Sequence, residues 1–409
     1  MKLRQLLVLT VLVVPLVLVA GSAVAAPVGK QDRAADVRFA TFNASLNRNF
    51  AGQLVADLST PNNAQAKAVA EIIQRAHPDV LLINEFDFAP AALGLFQDNY
   101  LSISQRGADP IVYPYRFIAP SNTGEPHGFD LDNIRPLGGP SNALGFGFFP
   151  GQFGMAVYSM HPIDTANVRT FQTFLWNDMP GARLPDDPST PAPADWYSQA
   201  ELNIFRLSSK SHWDLPILIG GKTVHFLVSH PTPPVFDGPE DRNGTRNFDE
   251  IRFWADYITP GRSAYIYDDA ANFGGLKPGE LFVIAGDQNS DPLDGDSIPG
   301  AIQQLIEHPL VNTKFTPSSP GAVQQAALQG GANTTHRSDP AFDTADFADT
   351  APGNLRADYV LPRKNLQIVD GAVFWPLNTD PLFQPVGVFP FPSSDHRLVS
   401  IDVTVPSLT

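Results

Sequence analysis

One stretch of the sequence, Leu281–Asn289, constrains the fold more than any other. Its first five residues are apolar, and they lead directly into the sequence Gly-Asp-Gln-Asn. A short apolar run bounded by turn-forming residues is typical of a fully buried strand, and Gly286 allows the backbone to turn sharply where that strand ends. Asp287 and Asn289 are two positions apart, so an extended backbone points both side chains the same way. We therefore predict a carboxylate and a carboxamide together at the edge of a buried sheet.

This pair has a chemical interpretation and a structural one. A carboxylate is a hard oxygen ligand or a base, and a neutral amide donates hydrogen bonds to phosphoryl oxygens. Asp and Asn are also common turn formers. The motif alone therefore does not separate a reactive site from a simple turn, and the decision depends on other polar residues at strand ends.

Residues 1–26 predict a secretory signal peptide. Lys2 and Arg4 give a basic start, the segment Leu6–Ala20 is apolar, and Ala23–Ala25 supplies small residues for cleavage. The apolar segment is short for a membrane span. We therefore expect a secreted, extracellular protein with no stable membrane insertion.

Composition narrows the classes of partner. The chain has 27 Lys and Arg against 42 Asp and Glu, and removing the basic signal residues moves its net charge from −15 to −17. Such a surface disfavours nucleic acids, because non-specific nucleic-acid binding requires the neutralisation of many phosphates. The chain has no Cys, which excludes disulfides and thiolate metal sites. An exported protein of this kind depends on its core or on a bound metal for stability.

The remaining chain shows alternating strand and helix patterns without an internal repeat or a long linker, so we expect one domain over residues 35–407. Helices are predicted over 64–76, capped by Asn62 or Asn63, and over 246–258. Loop insertions are expected near 86–150, 160–200 and 313–352, the last of them polar and exposed. Besides 281–287, the predicted strands are 37–43, 80–83, 155–159, 202–207, 216–219, 223–230, 358–361, 367–375 and 397–403.

Polar residues recur where these strands begin or end. Asn43 ends the first strand, Glu85 follows the second, and His230 ends the strand before Pro231. Each has a structural alternative: a turn Asn, a solvated Glu, or a structural His beside Pro. A buried, unpaired Glu costs several kcal/mol, so Glu85 is either solvated or binds a cation. Lys210 and His212 are predicted to lie in a hairpin loop, and the alternative is that they contact a phosphate.

Six motifs in this order resemble those of the endonuclease/exonuclease/phosphatase superfamily, which includes deoxyribonuclease I-like nucleases, bacterial sphingomyelinases and inositol-phosphate phosphatases. They span nearly all of the chain after the signal peptide. The resemblance implies an α/β fold, a four-layer α/β sandwich in which two packed mixed β-sheets are flanked by helices. The motifs are Phe42-Asn43, Asn84-Glu85, Ser229-His230, Gly286-Asp287-Gln288-Asn289-Ser290, Asp358-Tyr359 and Ser394-Asp395-His396.

The resemblance also implies a metal site. Glu85 would bind a divalent cation, with Asn43 and Asp395 close to it. Oxygen ligands without Cys suit Mg²⁺, with Mn²⁺ and Ca²⁺ as alternatives. The ion would stabilise charge on the phosphoryl group and on the leaving oxygen.

Five further residues receive catalytic roles from the resemblance. Asp287 and Asn289 would position the attacking water and the phosphate oxygens. His396 would act as general base and Asp358 would orient it, because a carboxylate beside an imidazole fixes its tautomer and stabilises its cation. His230 would contact the phosphate or assist the leaving oxygen.

These expectations describe a secreted, metal-dependent phosphoesterase, which we expect to be a monomer. Gln288 departs from the family pattern, in which an aromatic or apolar residue is common. The acidic charge and the aromatic-rich loop 145–153 favour a small-molecule or lipid phosphoester over nucleic acid. The alternatives are an extracellular nuclease of the same fold and a non-catalytic binding module. A serine hydrolase is disfavoured because the sequence has no Gly-x-Ser-x-Gly.

Overall fold

The computed structural model describes residues 35–134 and 137–406; the predicted signal peptide lies outside them. The α-helices of the described residues are α1 (Gln53–Leu58), α2 (Ala64–Ala76), α3 (Pro90–Phe96), α4 (Gln199–Leu202), α5 (Arg242–Ile258), α6 (Gln303–Ile306) and α7 (Pro320–Gln329). Their strands are β1 (Ala35–Leu46), β2 (Val80–Phe86), β3 (Tyr115–Phe117), β4 (Met155–Ser159), β5 (Arg169–Thr170), β6 (His212–Ile219), β7 (Lys222–Ser229), β8 (Leu281–Asp287), β9 (Ala345–Asp346), β10 (Asn354–Leu355), β11 (Asp358–Pro362), β12 (Gln367–Val373) and β13 (Val399–Val405). Short 3₁₀ or π turns occur at Gln97–Leu101, Pro140–Asn142, Trp176–Asp178, Ser263–Tyr265, Gly331–Thr335, Pro340–Phe342 and Pro381–Phe383.

The strands form two large mixed sheets and one small ribbon. The first sheet has the order β12-β13-β1-β2-β4-β3, and the second has the order β11-β8-β7-β6-β5. Strands β9 and β10 pair separately. Within the large sheets β1 is parallel to β2 and β7 is parallel to β8, whereas the other pairs are antiparallel. Each parallel pair therefore ends at one edge of its sheet.

The side chains of β8 show why this strand is apolar on both faces. Val283 and Ala285 belong to the core cluster that contains residues of the first sheet, including Phe39. Their neighbours Phe282 and Ile284 belong instead to the cluster formed with α5. Alternate residues of a strand face opposite sides, so β8 lies between the other sheet and a helix.

The same arrangement holds for the whole sandwich. The rings of Phe39 in β1 and Phe226 in β7 are 5.6 Å apart and join the inner faces of the two sheets. Val69 and Ile73 of α2 complete the first core cluster, whereas Trp254 of α5 packs in the second. The layers are helix, sheet, sheet and helix, and the predicted four-layer α/β sandwich is confirmed.

Helix α2 has the predicted bounds. Asn63 caps its first turn, because its side-chain oxygen accepts a hydrogen bond from the Ala66 amide at 2.9 Å. The helix ends at His77, whose φ of 51° lies in the left-handed region, and Pro78 follows. Helix α5 begins four residues earlier than predicted, at Arg242.

The strand predicted over 202–207 is wrong. Ser198 and Glu201 form a capping box, in which each side chain bonds to the backbone amide of the other residue, and α4 begins there. The alternation that suggested a strand is therefore overridden by a local helix start. The sequence does carry the signal, since Ser-x-x-Glu is the pattern of a capping box.

Two predicted loop regions contain more structure than expected. The region 86–150 includes α3 and the edge strand β3. The region 313–352 was expected to be exposed, but residues 343–346 are buried. Arg397 is buried as well and its guanidinium binds the Asp346 carboxylate at 3.0 Å, so this region is fixed by an ion pair that periodicity does not reveal.

The hairpin loop proposed around Lys210 and His212 is also wrong, because His212 is the first residue of β6 and is buried.

None of the helices in the described residues is both long enough and apolar enough to cross a membrane.

The neutral form of His212 should contribute to stability. Its Nε2 bonds to the Glu250 carbonyl at 2.9 Å and its Nδ1 lies 3.0 Å from the Ser208 hydroxyl. Burial lowers the His212 pKa to about 4, against a smaller opposite effect of Glu250. Because this pKa is lower in the folded state than in the unfolded state, the stabilisation is present above about pH 6.5 and is lost as pH falls towards 4.

We therefore expect His212→Gln to flatten the pH dependence of the free energy of unfolding. Between pH 7 and pH 4 the wild-type protein should lose roughly 3 kcal/mol more than the variant. Denaturant unfolding at a series of pH values measures this difference. Parallel curves for the two proteins would show that His212 does not titrate between these limits.

Candidate active site

The polar residues predicted from strand ends meet at one end of the sandwich. Asn43 on β1 lies opposite Asn84 on β2, and Asp358 on β11 lies opposite Asp287 on β8. The two sheets come together there, since the Asn43 amide nitrogen is 3.1 Å from the Asp287 carboxylate. Residues from both sheets thus form one cluster.

Asp287 is at the centre of this cluster and is almost completely buried. Its backbone amide donates to the Asn84 side-chain oxygen at 3.2 Å. The Nε2 atoms of His230 and His396 lie 3.4 and 3.7 Å from its Oδ2. Burial raises the pKa of Asp287, while the charge of His396 opposes this effect.

His396 is held from its other ring nitrogen. Its Nδ1 is 2.8 Å from Asp358 Oδ2, and the Thr344 hydroxyl donates to the same carboxylate oxygen at 2.8 Å. The ring of Phe347 packs edge-on against the imidazole at 5.3 Å between ring centroids. Burial lowers the pKa of His396, but the carboxylates of Asp358 and Asp287 outweigh it and hold the pKa well above its ordinary value.

His230 has the opposite protonation preference. Burial lowers its pKa well below the ordinary value, and the positive charges of Lys210 and His396 add to this effect. Its Nδ1 is buried without a hydrogen-bond partner among the described residues. The environment of Asp287 therefore favours the neutral form of one neighbouring imidazole and the charged form of the other.

Asn289 lies beside this group in an unexpected conformation. Strand β8 ends at Asp287, and Asn289 has a φ of 50°, so the extended geometry predicted for the pair does not continue. The Asn289 amide side chain donates to the Pro231 carbonyl at 3.1 Å, and its backbone amide donates to Asp287 Oδ1 at 2.9 Å. It therefore links the ends of β7 and β8.

The residues predicted to hold a metal lie on the first-sheet side of the cluster. The Asn43 amide nitrogen is 3.2 Å from Glu85 Oε1, and Glu85 is half-buried with a φ of 57°. Burial raises the Glu85 pKa, and the negative charge of Asp395 raises it further. Within the described ranges, neither the Glu85 nor the Asp395 carboxylate forms an ion pair with a Lys or Arg. Two carboxylates and an amide oxygen suit a hard divalent cation.

A second group of donors is also compact. The ligand atoms of Asp287, Asp358 and His396 all lie within 4.8 Å of one another. Their mutual contacts explain this closeness, because the Asp358 oxygen that faces His396 already accepts hydrogen bonds from the imidazole and from Thr344. Glu85 accepts a hydrogen bond from the Asn43 amide at 3.2 Å, and Asp395 Oδ1 lies 3.4 Å from the Ser45 and Ser394 hydroxyls. These donors are all neutral, so Glu85 and Asp395 are the better candidates for an ion.

Some residues of the cluster could not be found from the sequence. Lys210 is buried and its Nζ makes a long contact of 3.5 Å with the Pro231 carbonyl. Burial lowers the Lys210 pKa, while the carboxylates of Glu250, Glu85 and Asp287 oppose the shift. The sequence offers a phosphate contact for Lys210 only as the alternative to a hairpin loop, and it gives no signal of a role for Thr344 or Phe347.

Gln288, the departure from the family pattern, is fully buried beside the site. Its side-chain amide is 3.4 Å from the Ser229 hydroxyl, which also accepts a hydrogen bond from the Trp254 indole at 3.0 Å. These contacts belong to the packing between β7, β8 and α5.

The solved structures that are similar to this chain share low sequence identity with it. An endonuclease/exonuclease/phosphatase from Beutenbergia cavernae DSM 12333 is 16% identical, with a TM-score of 0.47 over 91% of this chain and 72% of that chain. Sphingomyelinase C from Streptomyces griseocarneus is 15% identical, with a TM-score of 0.45 over 90% and 99%. Truncated TDP2 from Caenorhabditis elegans is 15% identical, with a TM-score of 0.40 over 90% and 98%.

No curated protein sequence matches the chain. The sequence profile of the Endonuclease/Exonuclease/phosphatase family matches residues 40–396, a range that begins in β1 and ends at His396. This range contains Asn43, Glu85, Asp287 and His396, which the structure brings together. The chain belongs to the Endonuclease/Exonuclease/phosphatase family.

Proposed function

We propose that this protein is a divalent-metal-dependent hydrolase of phosphate esters. One observation carries the proposal: the buried Asp287 carboxylate is contacted by the Asn43 amide and by two imidazoles of opposite protonation preference. A structural core has little use for such an arrangement, because each buried ionisable group must be compensated. Family membership points to the same chemistry.

In this proposal His396 and Asp358 act as a unit on the attacking water. The Asp358 carboxylate at 2.8 Å keeps the proton on Nδ1, so Nε2 is the atom that takes a proton from water. Asp287 and Asn289 position the water and the phosphoryl oxygens. Burial favours the neutral form of His230. Its Nε2 lies 3.4 Å from Asp287 Oδ2, and it would donate a hydrogen bond to a phosphate or leaving-group oxygen.

Glu85, Asn43 and Asp395 would hold the metal, for which Mg²⁺ is the first choice and Mn²⁺ or Ca²⁺ are alternatives. When bound, such an ion supplies positive charge that stabilises the phosphoryl oxygens and favours the neutral, proton-accepting form of the neighbouring imidazole. The Asn43 amide orients Glu85 by its 3.2 Å hydrogen bond. Asn43 would therefore position the carboxylate as well as contribute an oxygen.

The proposed substrate is a small-molecule or lipid phosphoester. The net charge of −15 opposes extended contact with a polyanion. An extracellular nuclease of the same fold is the second candidate, and a non-catalytic binding module is the third. A panel of bis-p-nitrophenyl phosphate, p-nitrophenyl phosphate, plasmid DNA and sphingomyelin separates the three candidate functions.

The leader pattern of residues 1–26 further suggests that the protein is exported, and we propose that it acts outside the cell as a monomer.

Within this proposal, the first prediction concerns the metal. EDTA should abolish hydrolysis of bis-p-nitrophenyl phosphate, and added Mg²⁺ should restore it. Glu85→Gln should lower the rate roughly 100-fold or more, because a ligand carboxylate is removed without loss of volume. Glu307→Gln changes an exposed carboxylate and serves as the matched control. A rate that is insensitive to EDTA would contradict metal dependence.

The second prediction concerns the pair formed by His396 and Asp358. His396→Ala and Asp358→Asn should each lower kcat by about 100- to 10,000-fold. Because the two residues act as a unit, the double variant should be no slower than His396→Ala alone. Steady-state kinetics on the four proteins, with thermal midpoints to verify folding, measure this coupling. Multiplicative losses would mean that the two side chains act independently.

His230 provides the third prediction. If it contacts the phosphate or the leaving oxygen, His230→Ala should lower kcat by at least about 100-fold, with a smaller loss for leaving groups that need no protonation. A comparison of p-nitrophenyl esters with alkyl esters measures the difference. Full activity of the variant on both would assign His230 to structure alone.

A further inference from the structure

A cavity of about 520 Å³ opens beside the proposed catalytic cluster. Glu85, Lys210 and His230 contribute to its wall, so the cavity and the cluster share a boundary. A volume of this size is typical of pockets that hold small-molecule ligands. It is far too small for a nucleic-acid duplex.

Much of the cavity lining is apolar. Tyr197, Phe205 and Leu131 of the lining are buried, and Val235 is half-buried. Phe146 also lines the cavity and is 51% exposed. Apolar and aromatic walls favour an apolar ligand group, because its burial removes hydrocarbon surface from water.

Three cationic side chains also line the cavity, and two of them have close partners within the protein. Arg242 is paired with the Glu240 carboxylate. The guanidinium of Arg246 donates to backbone carbonyls, including that of Leu207 at 2.8 Å. Lys210 has no carboxylate within 4.0 Å in the part of the chain that the structure describes.

Lys210 is also buried, and its Nζ makes a long contact of 3.5 Å with the Pro231 carbonyl. The carboxylates of Glu250, Glu85 and Asp287 act on it from a distance, and a buried ammonium without a direct ion pair remains costly. An anion placed between the cluster and the apolar wall would supply the missing partner. The charge arrangement therefore places a phosphate at the boundary and an apolar group behind it.

The walls of the cavity come from segments that join the strands. Leu131 and Phe146 lie in the predicted insertion near 86–150 and Tyr197 lies in that near 160–200, and residues 231–236 have the sequence Pro-Thr-Pro-Pro-Val-Phe. Proline fixes its own φ and restricts the preceding residue. The loop therefore loses less conformational freedom when a ligand binds, which favours a preformed pocket.

We propose that this cavity binds the apolar group of a small phosphoester substrate, and that Lys210 contacts the phosphate of that substrate. The inference rests on the proposed phosphoesterase function and specifies its substrate class. The cluster at Asp287 then lies on one side of the phosphorus and the apolar pocket on the other.

Alkylphosphonates test this directly, since they carry a phosphoryl group and one chain of chosen length but cannot be hydrolysed at the carbon–phosphorus bond by water attack. Methyl-, butyl- and octylphosphonate are titrated calorimetrically into the full-length protein with Mg²⁺. Each buried methylene should increase affinity up to about fourfold until the cavity is filled. Butylphosphonate should therefore bind at least about 10-fold tighter than methylphosphonate, and equal affinities would overturn the proposal.

Variants separate the two halves of the proposal. Phe146→Ala should reduce the extra affinity of octylphosphonate over the shorter ligands. Val235→Trp should shorten the alkyl chain length beyond which affinity no longer increases. Lys210→Met should weaken all three ligands by a similar factor and leave the gain per methylene intact. Phe389→Ala removes another exposed ring that does not line the cavity, and it should change neither quantity. Wild-type affinities in Lys210→Met would overturn the phosphate contact.

Failure of the pocket proposal can be distinguished from failure of the proposed phosphoesterase function. Hydrolysis of methyl p-nitrophenyl phosphate with and without EDTA tests the function, and the phosphonate series tests the pocket. EDTA-sensitive hydrolysis without chain-length dependence would overturn the pocket alone. Chain-length dependence without any hydrolysis would support the pocket and overturn catalysis.

Discussion

The site depends on one amide group that joins the two sheets. Asn43 projects from the first sheet, and its side-chain nitrogen is 3.2 Å from the Glu85 carboxylate and 3.1 Å from the Asp287 carboxylate. Its oxygen accepts the Ser45 backbone amide at 3.2 Å, which fixes the orientation of the group. A neutral donor between a buried acid and a half-buried one lowers the cost of bringing them together. The proposed metal side and the proposed proton-transfer side of the site meet at this residue.

The backbone around that amide is held in unusual conformations. Ser45, Glu85 and Asn289 are not glycine, yet their φ angles are 48°, 57° and 50°, and each residue lies at or just after the end of a strand that supplies the site. Such conformations cost of order 1 kcal/mol or more each. Hydrogen bonds from the Ser45 and Asn289 amides to the Asn43 and Asp287 side chains offset part of this cost. The strain and the polar cluster occupy the same place because the chain turns there in order to aim these side chains.

The sequence was most informative where one physical effect dominates. The bounds of β8 and α2 follow from an apolar run and from a periodic apolar face, and the polar residues at strand ends were found because parallel strands end at a common edge. The strand predicted over 202–207 was wrong because the capping box of Ser198 and Glu201 starts a helix there, despite the alternating sequence pattern. Thr344 could not be predicted, and a phosphate contact of Lys210 was only the alternative to a hairpin loop, since their roles depend on contacts with Asp358 and with the cavity that no local pattern encodes. Family resemblance connected the distant motifs, which periodicity alone could not do.

The two histidines illustrate how the fold assigns different tasks to one residue type. Burial penalises the charged form of both imidazoles. For His396 the carboxylates of Asp358 and Asp287 outweigh that penalty, whereas His230 has Lys210 nearby, so its neutral form is favoured. Pairs of groups whose environments separate their pKa values are well suited to divide proton transfer between them. Lys210 therefore connects the two proposals, because its charge adds to the effect of burial on the His230 pKa and would also contact an anion in the cavity. A substrate phosphate that pairs with Lys210 would weaken this effect on His230, so substrate binding and the protonation of that imidazole are physically coupled.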